Sequence, residues 1–232
     1  FPIFLDYHPE NKWYSIEKIK GITCSSLLTS ELLTENNLLS IMNTIHRIHS
    51  LKIKDTNNVD IYSNYVEKLD KRYKNFDYSP FTESEIIYNK LREKLNNYKV
   101  NNIGKKVIIH GDPVLSNIII NIYEKIKFID MRGSLNGTLT IYGDWLYDWA
   151  KLYQSLIGYD LILNNKNISL EYQSKLISVF KDFFLNKFNK EDFQNLKLIT
   201  KSLIFTLIPL HNNEKCIHYY NLIFSDYLKE TF

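Results

Sequence analysis

The residues that could do chemistry lie in one stretch near the middle of the chain. They are His110-Gly111-Asp112-Pro113-Val114-Leu115-Ser116-Asn117, with Asp130 further on in Phe128-Ile129-Asp130-Met131-Arg132-Gly133. Val107, Ile108 and Ile109 run into the first segment. Ile118, Ile119, Ile120 and Ile122 leave it, and Ile126, Phe128 and Ile129 lead to Asp130. Apolar runs this short and this rich in β-branched residues predict strands, so a strand–loop–strand unit would bring two carboxylates and a carboxamide to one place. An Asn oxygen and a carboxylate are hard ligands suited to Mg²⁺, which keeps several waters and takes further oxygens from substrate phosphates. The other Asp is left to orient a hydroxyl or accept its proton. Positioning, an in-line nucleophile and charge neutralisation by a metal are the requirements of phosphoryl transfer.

Several elements must hold these residues. Residues 1–20 read as two short strands around a turn at His8-Pro9-Glu10-Asn11. Leu38, Met42, Ile45 and His49 mark a helix ending near Ser50, and Tyr62, Tyr65, Val66 and Leu69 a second. Ile86, Ile87, Leu91 and Leu95 mark a third, entered through Pro80 and Thr82 with Glu85 placed for a capping box. After Gly143, Trp145, Trp149, Leu152 and Leu156 fall on one helical face, with Asp144 suited to the N-cap. Amphipathic stretches follow at 169–188, 191–208 and 213–230.

His-Gly-Asp-x-x-x-x-Asn followed by Ile-Asp resembles the catalytic and metal-binding loops of the aminoglycoside phosphotransferase / choline kinase family, small-molecule kinases with a protein-kinase-like fold. The resemblance implies an α/β (α+β) chain that is mostly a helical large lobe with a remnant of the β small lobe. Residues 1–21 would be the end of the small lobe and the hinge, and residues 22–232 the large lobe with both loops. It also implies that Asp112 faces the acceptor hydroxyl as the catalytic Asp, that Asn117 and Asp130 hold Mg²⁺ on the phosphates of ATP or GTP, and that His110 is a structural part of the loop. The likeness runs on through Tyr142-Gly143-Asp144-Trp145-Leu146-Tyr147-Asp148-Trp149-Ala150-Lys151-Leu152, where the second Asp, Asp148, would brace the catalytic loop. Ile16-Glu17-Lys18-Ile19-Lys20-Gly21 would be the hinge, the backbone of Glu17 and Ile19 meeting the adenine. Asp-x-Arg-Gly and Asp-x-Ala-Lys-Leu resemble a sub-group found beside capsule or cell-surface polysaccharide genes.

One departure bears on function. Residues 1–20 contain no Gly, so neither the family's phosphate-covering loop nor its strand Lys is matched. The expectation is either a fragment lacking much of the small lobe or a natural protein without that cover. The leading function is Mg²⁺-dependent transfer of a γ-phosphoryl group to a hydroxyl of a sugar, amino sugar or amino-alcohol. The alternatives are a catalytically impaired pseudokinase or nucleotide-binding scaffold and, behind it, a metal-dependent hydrolase. Trp145, Tyr147 and Trp149 are near enough in sequence to permit an aromatic cage for an ammonium group. Arg132 is open between acceptor or phosphate binding and pairing with a neighbouring carboxylate.

Composition excludes other classes. The 232 residues are 44% hydrophobic and 24% charged, with a net charge of +3, which is too apolar for a disordered chain. The signs are mixed along the sequence, with no basic block of the kind that nucleic-acid binding needs. No apolar run approaches the ~20 residues of a membrane span. Cys24 and Cys216 lie far apart, which suits a reducing, cytoplasmic compartment. His46 and His49 sit beside Ile45 and Ile48, a packing rather than a metal-binding context, and Cys24 has no indicated base to make it a nucleophile.

Overall fold

The computed structural model describes residues 1–54, 58–211 and 213–229. Strands β1 (Phe4–His8) and β2 (Trp13–Ile16) form an antiparallel hairpin whose turn is closed by Lys12 N–H donating to Pro9 O. The hairpin is a two-stranded sheet of its own, and Phe4, Leu5, Tyr7 and Tyr14 are exposed on it. It is tied to the body by an ion pair from Glu17 to Lys127 at 3.0 Å and by the Phe1 ring stacked on His110.

β3 (Ile22–Thr23) opens the body and runs into α1 (Cys24–Thr29), where the Thr23 hydroxyl accepts from the Ser26 N–H. α2 (Glu35–His49) begins with a capping box in which Thr34 and Asn37 satisfy each other's backbone donors. Its buried stripe of Leu38, Ile41, Met42, Ile45 and Ile48 has helical spacing. α3 (Val66–Lys74) and α4 (Ser84–Val100) follow. The capping box expected at Thr82 and Glu85 does not form. Glu83 takes the cap position in a left-handed conformation, and the Ser84 hydroxyl turns back to Tyr78 O instead.

β4 (Lys106–Ile108) pairs antiparallel with β9 (Tyr142–Asp144). Between them, β5 (Ile118–Ile120) is the centre of a three-stranded sheet, flanked by β3 and β6 (Ile126–Phe128). A small hairpin, β7 (Ser134–Leu135) with β8 (Thr138–Leu139), projects after it. The β4–β9 pair is tight at Gly143, where an added Cβ would come within 2.3 Å of the Ile109 Cδ1 and force that side chain to shift.

α5 (Trp145–Gln154) runs through the centre of the molecule, and every one of its residues is buried. The one-faced stripe expected here is therefore incomplete: the helix is covered all round, chiefly by α8, as core helices are. Gly158 (φ 143°) breaks the π-type turn that follows, leading into α6 (Asp160–Asn164). α7 (Leu170–Lys187) and α8 (Lys190–Leu207) match the expected amphipathic stretches. The last one is shorter than expected: α9 (Asn213–Leu222) stops where tight turns at Ile223, Phe224 and Ser225 bring Leu228 back into the core. Phe180, Phe184, Trp149 and Phe205 are fully buried in this helical body.

Candidate active site

The loop after β4 is held from below by α5. Asp148, fully buried, accepts the backbone N–H groups of His110 and Gly111, each at 2.8 Å, and the Nε2 of His49 at 3.1 Å. The loop is also closed on itself. The Asp112 N–H donates to His110 Nδ1 at 3.2 Å, the Arg132 N–H donates to His110 O at 3.0 Å, and Asn117 Nδ2 donates to Asp112 O at 3.0 Å. Because Nδ1 accepts, His110 is in its neutral form there. Burial also holds its pKa down, against the pull of Asp148 and other neighbours. Gly111 (φ +83°) is a position at which geometry demands glycine, since its backbone is left-handed and a Cβ would meet the Arg132 Cβ at 2.7 Å.

β5 and β6 carry the other two oxygen donors to the same end of their hairpin. Ile118 pairs with Phe128, and just beyond it the Ile129 N–H donates to Asn117 O at 2.9 Å, which sets Asp130 beside Asn117. Asp130 holds a left-handed backbone (φ +58°), a conformation that Asp tolerates better than most residues. Among the described residues, no hydrogen bond or ion pair reaches Asn117 Oδ1 or the Asp130 carboxylate, and no three His, Cys, Asp or Glu side chains cluster as a metal ligand set. Two uncommitted oxygen donors of this kind fit Mg²⁺, whose remaining positions go to water and phosphate. They do not fit a metal caged by protein alone.

Asp112 is half-buried, and its Oδ1 lies 3.0 Å from Lys151 Nζ. Burial would raise its carboxyl pKa. Lys151, Arg132 and His110 together outweigh that and hold it below the usual carboxylate value. Asp112 is thus ionised throughout the neutral range and suited to orienting a hydroxyl through its other oxygen.

Sequence reasoning missed the cationic surroundings of Asp112. Among the described residues Arg132 forms no ion pair with a carboxylate. Instead its guanidinium donates to the Tyr147 hydroxyl at 2.7 Å and lies over the Tyr147 ring at 5.0 Å. Lys68 of α3 reaches the same hydroxyl at 3.4 Å. Along α5, Asp144, Tyr147, Asp148 and Lys151 are spaced three or four apart. That polar stripe on an otherwise apolar helix was the signal for Tyr147 and Lys151. Nothing in the sequence pointed to Lys68.

Burial alone would push the Tyr147 phenol up, but Lys68, Lys151 and Arg132 reverse it and bring its pKa down to about 7. Every other tyrosine with a resolved shift among the described residues moves upward. Phenolate absorbance is therefore expected to rise with a midpoint near pH 7, and Tyr147→Phe to abolish that step. An unfolded phenol titrates near about 10, so the native state binds fewer protons between these values. Stability gains with rising pH across this window, and the gain is lost as pH falls through the native pKa.

The remaining expected site residues lie apart from the loop. Asp144 occupies the N-cap position of α5, but its side chain does not cap. It accepts from Tyr65 at 2.5 Å, Tyr98 at 2.8 Å and the Lys105 N–H at 3.1 Å, contacts that tie α3, α4 and β4 together. The Glu17 N–H donates to Ile3 O, so it is already used, whereas the peptide groups of Ile19 have no backbone partner among the described residues. Trp145 and Trp149 pack against Phe184 and Phe188, and Arg132 lies over the Tyr147 ring, so these aromatics form no ammonium cage. Cys24 is buried with its thiol pushed up to about 12, which makes it inert.

Solved structures match nearly the whole chain. A choline/ethanolamine kinase family protein from Mesorhizobium loti superposes with a TM-score of 0.62 at 10% identity, over 98% of this chain and 76% of that one. The fold is that of the choline and ethanolamine kinases. Choline kinase LicA from Streptococcus pneumoniae matches with a TM-score of 0.57 at 12% identity, over 98% of this chain and 74% of its own. The Plasmodium vivax ethanolamine kinase gives 0.56 at 14%, over 98% and 68%. LicA has also been solved in complex with AMP. No protein-family model and no curated protein matches the sequence. Among the described residues, no helix of this kinase-like fold is long and apolar enough to cross a membrane.

Proposed function

We propose that this chain transfers the γ-phosphoryl group of ATP or GTP to a hydroxyl of a small molecule, with Mg²⁺ required. The observation that supports the reading is the closed loop braced by Asp148, in which the Asn117 amide holds the Asp112 carbonyl and leaves the Asn117 oxygen uncommitted. On this reading residues 1–21 end the small lobe, with the open peptide groups near Ile19 facing the base, and residues 22–232 form the large lobe. Asn117 and Asp130 would hold Mg²⁺, which when bound neutralises phosphate charge. Asp112 orients the acceptor hydroxyl. The bond from the γ-phosphorus to the β-phosphate oxygen of the departing nucleoside diphosphate breaks, the acceptor oxygen forms the new P–O bond, and its proton leaves through Asp112 to solvent. The depressed pKa of Asp112 favours orientation over early proton abstraction.

Mg·ATP at a hundredfold its Kd stabilises a protein by about 2.7 kcal/mol, or roughly 5–10 °C in a domain of this size. That rise in melting temperature is expected for the wild type and is expected to vanish in Asp130→Ala. A wild type that does not respond to Mg·ATP overturns the reading. A response without ADP formation across hydroxyl acceptors leaves a nucleotide-binding scaffold.

A further inference from the structure

On the α3 and α5 side of Asp112 the cations outnumber the anions, even with the Tyr147 phenol partly ionised near neutral pH. Lys68, Lys151 and Arg132 converge on the Tyr147 hydroxyl and on Asp112, with Lys151 buried and Tyr147 almost fully so. Asp112 is the carboxylate ion-paired there. Asp148, close by, is already bonded to His49 and to two backbone N–H groups, and Asp144 is turned toward Tyr65 and Tyr98. Like charges held together away from water are costly unless an anion joins them. Such an arrangement repels a quaternary ammonium group and attracts a phosphate or carboxylate, to which an Arg fork and a Lys supply strong charge-assisted bonds. The cations come from α3, α5 and the segment after Asp130, none of them from the β5–β6 strands.

Resting on the phosphotransferase reading above, we propose that the acceptor presented to Asp112 is itself anionic, a hydroxyl compound bearing a phosphate or carboxylate that seats on Lys68 and Arg132 beside Tyr147. The kinase-like fold thus carries an acceptor site of opposite charge preference to one built for choline.

The test uses the full chain and matched probes: glucose 6-phosphate with glucose, glycerol 3-phosphate with glycerol, and choline. Without nucleotide, the phosphorylated members are expected to raise the melting temperature and the neutral members and choline to leave it unchanged. Lys68→Gln and, independently, Arg132→Gln remove that rise and keep the Mg·ATP rise, whereas Asp130→Ala does the reverse. In turnover, Lys68→Gln lowers kcat/KM for a phosphorylated acceptor by about tenfold or more, mainly through KM. The melting curves themselves report whether each variant is folded. The inference is overturned if choline or a neutral sugar is the preferred acceptor, if no anionic probe shifts the melt, or if Lys68→Gln abolishes the Mg·ATP response and spares the anion response. The last result would assign the cations to the nucleotide. Loss of every Mg·ATP response with the anion response intact instead removes the phosphotransferase reading and leaves an anion site.

Discussion

Asp112→Asn is expected to reduce phosphoryl transfer by about 10²- to 10⁴-fold, the range for a group positioned to orient or accept a proton in the transition state, while Mg·ATP still raises the melting temperature. The reason lies in how the loop is held. The contacts that shape it use the backbone of His110 and Gly111, the Asp112 N–H and carbonyl, and the Asn117 amide, none of them the Asp112 carboxylate. The substitution removes the charge facing the acceptor and leaves the loop in place. It also leaves Lys151 without its counter-ion. Because the Asp112 side chain is 32% exposed, the loss of stability falls below that of a fully buried pair, at about 1 kcal/mol. Steady-state kinetics beside a thermal melt separate the two effects. Retention of more than a tenth of wild-type kcat would remove Asp112 from its role.

Asp148→Ala is expected to act in the opposite way, through the fold. Its carboxylate is fully buried and satisfies two backbone N–H groups and the His49 ring. Truncation strands those donors away from water, and each unsatisfied buried donor costs about 1–3 kcal/mol. The loss should total about 3–5 kcal/mol, that of breaking a buried charge from its partners. At roughly 2–4 °C per kcal/mol for a chain of this size, melting should fall by about 6–20 °C. Activity falls with it, because the loop that carries Asp112 loses its anchor. Asp148→Asn keeps one acceptor oxygen and turns an N–H toward an N–H, so it should lie between wild type and the Ala variant. A melting temperature unchanged in Asp148→Ala would show that the loop is held by other contacts.

The two substitutions divide the site into what does chemistry and what positions it. Asp144 belongs wholly to the second group. It sits at the N-cap of α5, about one turn before Asp148, yet it joins Tyr65, Tyr98 and Lys105 into a brace between α3, α4 and β4. Two acids about one turn apart therefore support two different parts of the molecule.

What the sequence by itself determined was local. The spacing from His110 to Asn117, the β-branched runs on either side of it and the Asp after the second run specify a loop and hairpin with short-range bonds, and such bonds need no distant partner. The helical periods of α2, α7 and α8 were equally legible, because burial of one face repeats every three or four residues. Only the tertiary structure decided what covers those faces. That α5 is buried all round, that the cap of α4 falls to Glu83 rather than to a box at Thr82, and that Arg132 meets Tyr147 rather than a carboxylate are outcomes of packing. The arrival of Lys68 from α3 at the Tyr147 hydroxyl is the clearest instance. Spacing sets which side chains share a helix face. Which distant helix is laid against that face depends on how the whole hydrophobic core closes, and so the charge around Asp112 became visible only once the chain was folded.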